Sequence, residues 1–202
     1  MPVAKESGGD FPLPPAGNHS ARCFGVVDVG TQISPMYGPN HKVMLMFELP
    51  DLLVTISGED QPTIITKEYT LSLSGKANLR HDLESWRGVE FTAKELEGFE
   101  VSKVVGAPAL LNLTHQTSAK GRKRAVIAAI TPLPKGMVAP EPQFEPVKFD
   151  LTMGQKSKPF LSLPAWIQKK IQSCQEWTNP AGATAETETP TDEPAESGGP
   201  PF

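Results

Sequence analysis

The chain has little of what metal centres and covalent frameworks require. It holds only two cysteines, Cys23 and Cys174, far apart and without metal spacing. Its four histidines, His19, His41, His81 and His115, are scattered. That distribution excludes a disulfide framework and the usual zinc motifs. Long apolar runs are missing too. No stretch approaches about 18 consecutive apolar residues, so no membrane span is expected. The first residues lack a charged start followed by an apolar run, so no secretory signal is expected, and the reading is a cytoplasmic protein with reduced thiols. Catalytic signatures are also lacking: there is no Gly-x-x-x-x-Gly-Lys-Ser/Thr phosphate loop, no His-Glu-x-x-His and no Gly-x-Ser-x-Gly elbow. His41 and His115 stand alone on strand-like patterns, where a structural histidine is the expected fate. Asp82 and Glu84 lie two apart on a helical pattern and do not share a face. No enzymatic activity, cofactor or metal is expected.

The chain does have a marked asymmetry of charge. The formal net charge is -4, and residues 181–202 carry -5 of it, from Glu186, Glu188, Asp192, Glu193 and Glu196. The remainder is therefore weakly basic at +1. This last segment is rich in Ala, Thr, Pro and Gly and offers almost nothing apolar to bury. It cannot offset its ordering entropy, so residues 179–202 are expected to be a disordered acidic tail. The tail closes on Gly198-Gly199-Pro200-Pro201-Phe202. An apolar ring on an acidic leash suits capture in a basic-rimmed pocket of another protein. Asp192, Glu193, Glu196, Pro201 and Phe202 are the candidate partner-binding residues.

Between a loose, Gly- and Pro-rich start (1–20) and this tail, the apolar period defines the elements. Ala21 to Gln32 alternates as a strand, with Cys23, Gly25, Val27 and Val29 on one face and Arg22, Phe24, Val26 and Asp28 on the other. A turn-rich stretch over 34–40 leads to a second strand from His41 to Leu49. It places Val43, Leu45, Phe47 and Leu49 opposite Lys42, Met44, Met46 and Glu48. A third strand runs from Thr63 to Ser74. The period then lengthens to about 3.6: Leu79, Leu83 and Trp86 share a helical face, with Asn78 as N-cap and Gly88 as stop. Thr92 and Glu95 have capping-box spacing and should open a second short helix. Two more strands come next, Pro108 to Gln116 and Arg122 to Pro132, joined by a charged turn from Lys120 to Arg124.

Three strands, a helical insert and two strands without crossover helices favour an antiparallel sheet. The order matches a mainly β OB-fold, a five-stranded barrel with a helix between strands 3 and 4. The expected domain spans 21–134. Beyond it lie a Pro-rich connector (135–162) and a C-terminal helix (163–178), the helix carrying Trp166, Ile167, Lys170 and Ile171 at helical spacing, with Pro164 near its first turn.

Such a barrel suggests where binding chemistry would sit. A sequence-tolerant binder of single strands combines aromatic platforms with a cationic groove. OB barrels use the face of strands 2–3 and the loops joining strands 1–2 and 4–5. On those elements lie the DNA-binding candidates Arg22, Phe24, Tyr37, Lys42, Lys67, Tyr69, Arg122, Lys123 and Arg124. Each has a plainer reading: Tyr69 as a core ring with a bonded hydroxyl, Phe24 as cover for a helix, Lys120 to Arg124 as a solvated turn. Trp86 completes the apolar helix face and is read as core.

Specific residues also carry a family likeness. Tyr69-Thr-Leu-Ser-Leu-Ser, Ala77-Asn-Leu-Arg, Asp82-Leu-Glu-Ser-Trp-Arg-Gly88, Phe91-Thr, Glu95-Leu96 and Gly98-Phe99 resemble a family of phage and prophage replication-region proteins. The likeness extends through Pro132-Leu-Pro-Lys-Gly136 into Leu163-Pro-Ala-Trp-Ile167 and covers roughly residues 20–178. The tail resembles the acidic, Pro-Phe-ending tip of bacterial and phage single-stranded DNA-binding proteins. The resemblance implies a single-stranded DNA-binding protein with an OB-type core, acting in bacteriophage DNA replication and recombination in the bacterial cytoplasm. It further implies recruitment of host or phage replication and recombination proteins through the tail, and leaves a homo-oligomer open. It carries no residue-level DNA contacts. The alternative is a β-barrel interaction adaptor of a replication complex, without DNA binding of its own.

Overall fold

A computed structural model describes residues 13–36, 38–56, 58–118, 121 and 123–178. Five long strands carry the fold: β1 (Gly17–Ser34), β2 (Gly38–Ile56), β3 (Glu59–Thr70), β4 (Pro108–Thr117) and β5 (Lys123–Thr131). They pair antiparallel in the order β3-β2-β1-β4-β5 and curl into a mainly β half-barrel. Two helices, α1 (Asn78–Arg87) and α2 (Ala93–Glu97), and a 3-10 turn at Val101–Val104 lie between β3 and β4.

The concave side is filled by the alternating residues of the strands. Val43, Leu45, Phe47 and Leu49 of β2, Ile65 and Tyr69 of β3, and Leu111, Leu113 and Ile130 of the last pair form this inner core. The face of α1 that closes it is Leu79, Leu83 and Trp86. Trp86 packs its ring 5.4 Å from Phe47 and donates its indole N–H to the Pro108 carbonyl at 2.8 Å. Ser85 donates to the Ile130 carbonyl at 2.9 Å, so one helix is tied to both β4 and β5. The helix ends as its sequence dictates: Gly88 adopts φ 69°, and its N–H closes on Glu84. Ala77, however, holds the N-cap position expected for Asn78. Thr92 and Glu95 form the capping box that opens α2.

β1 departs from simple alternation. Its register against β2 slips between Cys23 and Gly25 and again between Asp28 and Gly30. Each bulge inserts one residue and flips the facing of the residues beyond it. Cys23 and Val26 therefore point into the inner core, whereas Phe24, Val27 and Val29 point to the convex side. The first bulge also marks a change of neighbour. Residues Gly17–Arg22 pair with β4, and Gly25–Val27 pair in parallel with β6 (Val147–Phe149).

The stretch expected to be a plain connector over 135–162 thus contributes a strand and α3 (Lys158–Ser162). Glu48 explains why it stays down. Its carboxylate is fully buried on the convex side of β2, and one oxygen accepts the backbone N–H groups of Gln143 (3.0 Å) and Phe144 (2.9 Å). A buried carboxylate needs such donors, and here the connector supplies them. The expected C-terminal helix is two pieces, α4 (Ala165–Gln172) and α5 (Gln175–Thr178), broken at Ser173, with Pro164 as the N-cap of the first. Phe149, Phe160, Leu163, Ile167 and Ile171 bury against Phe24, Val27, Val29, Met44 and Met46 as a second, outer core.

At the far end of this layer α5 sits tightly on β1. Gly30 has φ 68°, and a Cβ there would lie 2.7 Å from that of Cys174, so the close approach needs glycine. Glu176 accepts the Thr31 backbone N–H (2.8 Å) and hydroxyl (2.6 Å) and stands 3.4 Å from His41 Nδ1, while Asp28 holds His41 Nε2 at 2.7 Å.

Candidate nucleic-acid interface

β3 and β5 are the two ends of the antiparallel order, and among the described residues no ladder joins them. The seam between them is an open groove of about 790 Å³. Its β3 wall includes Pro62, Ile64 and Lys67, its β5 wall Arg124 and Val126, and α4 places Trp166 at its side. Trp166 is 52% exposed and Ile64 40% exposed. The reason is local: Leu163, Ile167 and Ile171 recur at intervals of four and take the buried stripe, which leaves Trp166 at its margin. The acid that lines the groove, Glu68, is paired with Lys170 of α4. The groove therefore combines an exposed indole, apolar wall and cationic side chains.

Lys67 and Arg124, two of the DNA-binding candidates, both line this groove. Lys123 is exposed at the start of β5, next to Arg124 on the hairpin. Lys67 also pairs with Asp82 at 2.6 Å and lies 5.4 Å above the Tyr69 ring. Lys42 lies on β2 opposite Thr70, the last residue of β3, and donates to the Thr70 hydroxyl at 2.9 Å. That partner is neutral, so its positive charge stays available.

Three candidates are placed elsewhere. Phe24 is buried in the outer core, its ring 5.1 Å from that of Phe144, because the connector and C-terminal helices cover that face of β1. It presents no free face for a base. Arg22 donates to the Pro140 carbonyl at 2.9 Å and to that of Gly106, which makes it a strut between β1 and two loops. Tyr69 is 3% exposed and donates its hydroxyl to Asp82 at 2.6 Å. Burial, then the Asp82 charge, push its phenol far above the ordinary range, so it remains neutral inside the core. Tyr37 and Arg122 lie outside the described residues, as do Asp192, Glu193, Glu196, Pro201 and Phe202.

Asp82 and Glu84, which share no helical face, have separate structural tasks. Asp82 anchors Lys67 and Tyr69. Glu84 accepts the Phe91 N–H and pairs with Arg80, and these bonds hold its carboxyl below the ordinary value. Burial lifts the Cys23 thiol to about 12, so it stays protonated in the inner core. Among the described residues no three His, Cys, Asp or Glu side chains gather as a metal site, and no helix is long and apolar enough to cross a membrane.

Trp166 is the groove residue that the sequence hid. Its spacing fits the apolar stripe, and only the completeness of the Leu163–Ile167–Ile171 series signals that it is surplus to the core. No protein-family model matches this chain, and no curated protein matches it.

Proposed function

We propose that this protein is a non-enzymatic single-stranded DNA-binding protein whose curled sheet is an OB-type barrel and whose binding face is the β3–β5 seam. The observation that carries the reading is the groove itself: exposed Trp166, apolar Ile64 and the cation Arg124 along one opening, with the Asp82-paired Lys67 beside them. Unstacked bases need flat apolar platforms, and a phosphodiester chain needs positive charge at intervals. The strand order, with helices between β3 and β4 and the outer strands facing each other across a seam, supports the OB assignment. A role in phage DNA replication or recombination rests on the sequence resemblance. In that role the acidic segment 181–202 recruits replication proteins through Phe202 and its neighbouring carboxylates.

The test is a gel shift with polythymidine at two salt concentrations. Binding that weakens as salt rises, with the logarithm of affinity falling by about 0.7 per phosphate for each unit of log salt, is the expected result. A folded protein that binds no oligonucleotide even at low salt would leave the adaptor reading in its place.

A further inference from the structure

A second cavity, of about 340 Å³, opens on the other side of Lys67, where β3 runs into α1. Lys42, Lys67 and Lys76 line it, together with the hydroxyl side chains of Thr70, Ser72 and Ser74. Its charge is unbalanced. Lys67 is matched by Asp82, and the lining acid Glu68 is matched by Lys170. Lys42 is held by the neutral Thr70 hydroxyl. Lys76 is exposed, and among the described residues no carboxylate pairs with it. Two positive charges therefore line one small cavity whose lining acid is already committed elsewhere. Two ammonium groups that line one cavity repel each other, and an anion between them removes that repulsion.

We infer that this cavity is a phosphodiester subsite, and that it takes a backbone phosphate of the same strand that lies in the seam groove. The inference rests on the DNA-binding reading and extends it along the chain of the ligand. Lys67 and Glu68 line both cavities, so the two adjoin near the end of β3. The ligand chemistry is set by the donors. Lysine ammonium groups are unrestrained point charges, and hydroxyls donate without adding charge. Together they suit tetrahedral phosphate oxygens that approach from several directions. The cavity offers no aromatic face of its own beyond the buried Tyr69 ring, so it holds backbone and not base. The strand is then gripped by its bases at Trp166 and by its phosphate at Lys42 and Lys76. Lys76 thereby becomes a binding residue, although it lies on a turn that alternation assigns to no face.

The experiment uses the full chain and compares wild type, Lys76→Ala and the Lys42→Ala/Lys76→Ala double variant. Polythymidine affinity is measured across a salt series, with thermal melting as the folding control. The double variant should flatten the salt slope by about 1.4, two contacts at about 0.7 each. Lys76→Ala, at an exposed position that cannot disturb the core, should flatten it by about half that. Unchanged slopes in both variants, with wild type binding normally, would overturn the subsite. A titration with inorganic phosphate, read by backbone amide shifts, separates this from the larger reading. If wild type binds no DNA, yet phosphate moves the Ser72, Ser74 and Lys76 amides, the DNA reading fails and an anion site remains. If neither DNA nor phosphate has any effect, both fail.

Discussion

The two sides of the β1–β2 pair are built by different rules. On the concave side, Val43, Leu45, Phe47 and Leu49 face a helix that comes directly after β3 in the chain. On the convex side, Met44 and Met46 of the same strand, with Phe24, Val27 and Val29, are covered by residues 144–177, about a hundred positions later. Strand period dictates the first layer, because alternation places its members before any partner is known. The second layer depends on a distant segment and on two bulges. Its members therefore look like the solvent side of a half-exposed strand. β1 and β2 are thus buried on both faces, and the connector and C-terminal helices are core and not appendage.

The sharpest way to break that comparison is to cut one large side chain from each layer. Trp86→Ala in the inner core and Phe160→Ala in the outer core should each cost on the order of 3–5 kcal/mol, because both leave cavities in packed surroundings. Phe160 is 2% exposed and packs against Phe149 (5.6 Å) and Trp177 (5.6 Å). Denaturant melts should show a single transition in both variants. If Phe160→Ala costs under about 1 kcal/mol, or gives a separate early transition, the outer layer is a docked cover and the two-core account fails.

The same contrast explains what could be read from the sequence. The strand-helix-strand order and the α1 face were legible because each is a local periodicity. So was the capping box of Thr92 and Glu95, which is a matter of spacing. The facings of Val26, Val27 and Val29 were not, since a bulge leaves no mark in a run of Phe, Gly and Val. Arg22 and Lys67 look alike as lone cations on strands. One is consumed by the Pro140 and Gly106 carbonyls, whereas the other borders an open groove. That difference lies in loops remote in sequence. Trp166 was legible as a helix residue and illegible as a surface one.

A smaller effect sharpens the comparison at the edge of the outer layer, where α5 meets β1. The hydrogen bond to Asp28 raises the His41 pKa above its ordinary 6.5, against partial burial that lowers it, and the Asp28 and Glu176 charges add to the rise. Burial pushes the Glu176 carboxyl up, but the bonds from Thr31 outweigh it and leave it below its ordinary 4.5. A raised histidine stabilises the fold fully below about pH 6.5, and that contribution is lost as pH climbs through its folded pKa. A depressed carboxylate contributes above about pH 4.5, and its part is lost as pH falls through its folded pKa. The clasp should be strongest between those limits. Thermal melting of wild type should therefore drop as pH rises above about 6.5, and His41→Gln should flatten that drop. An unchanged pH profile in His41→Gln would show that the clasp does not depend on this charge.

Under the proposed function the outer layer does more than cover the sheet: through α4 it hands Trp166 to the seam as a base platform. Tryptophan fluorescence during polythymidine titration tests this most directly, because Trp86 is buried and Trp177 packs on Phe149 and Phe160. Wild type should be quenched as the strand binds. Trp166→Ala should lose most of that quenching and weaken binding by about 1–3 kcal/mol, while melting like the parent. A Trp166→Ala protein that binds polythymidine with wild-type affinity and the same quenching would contradict the account.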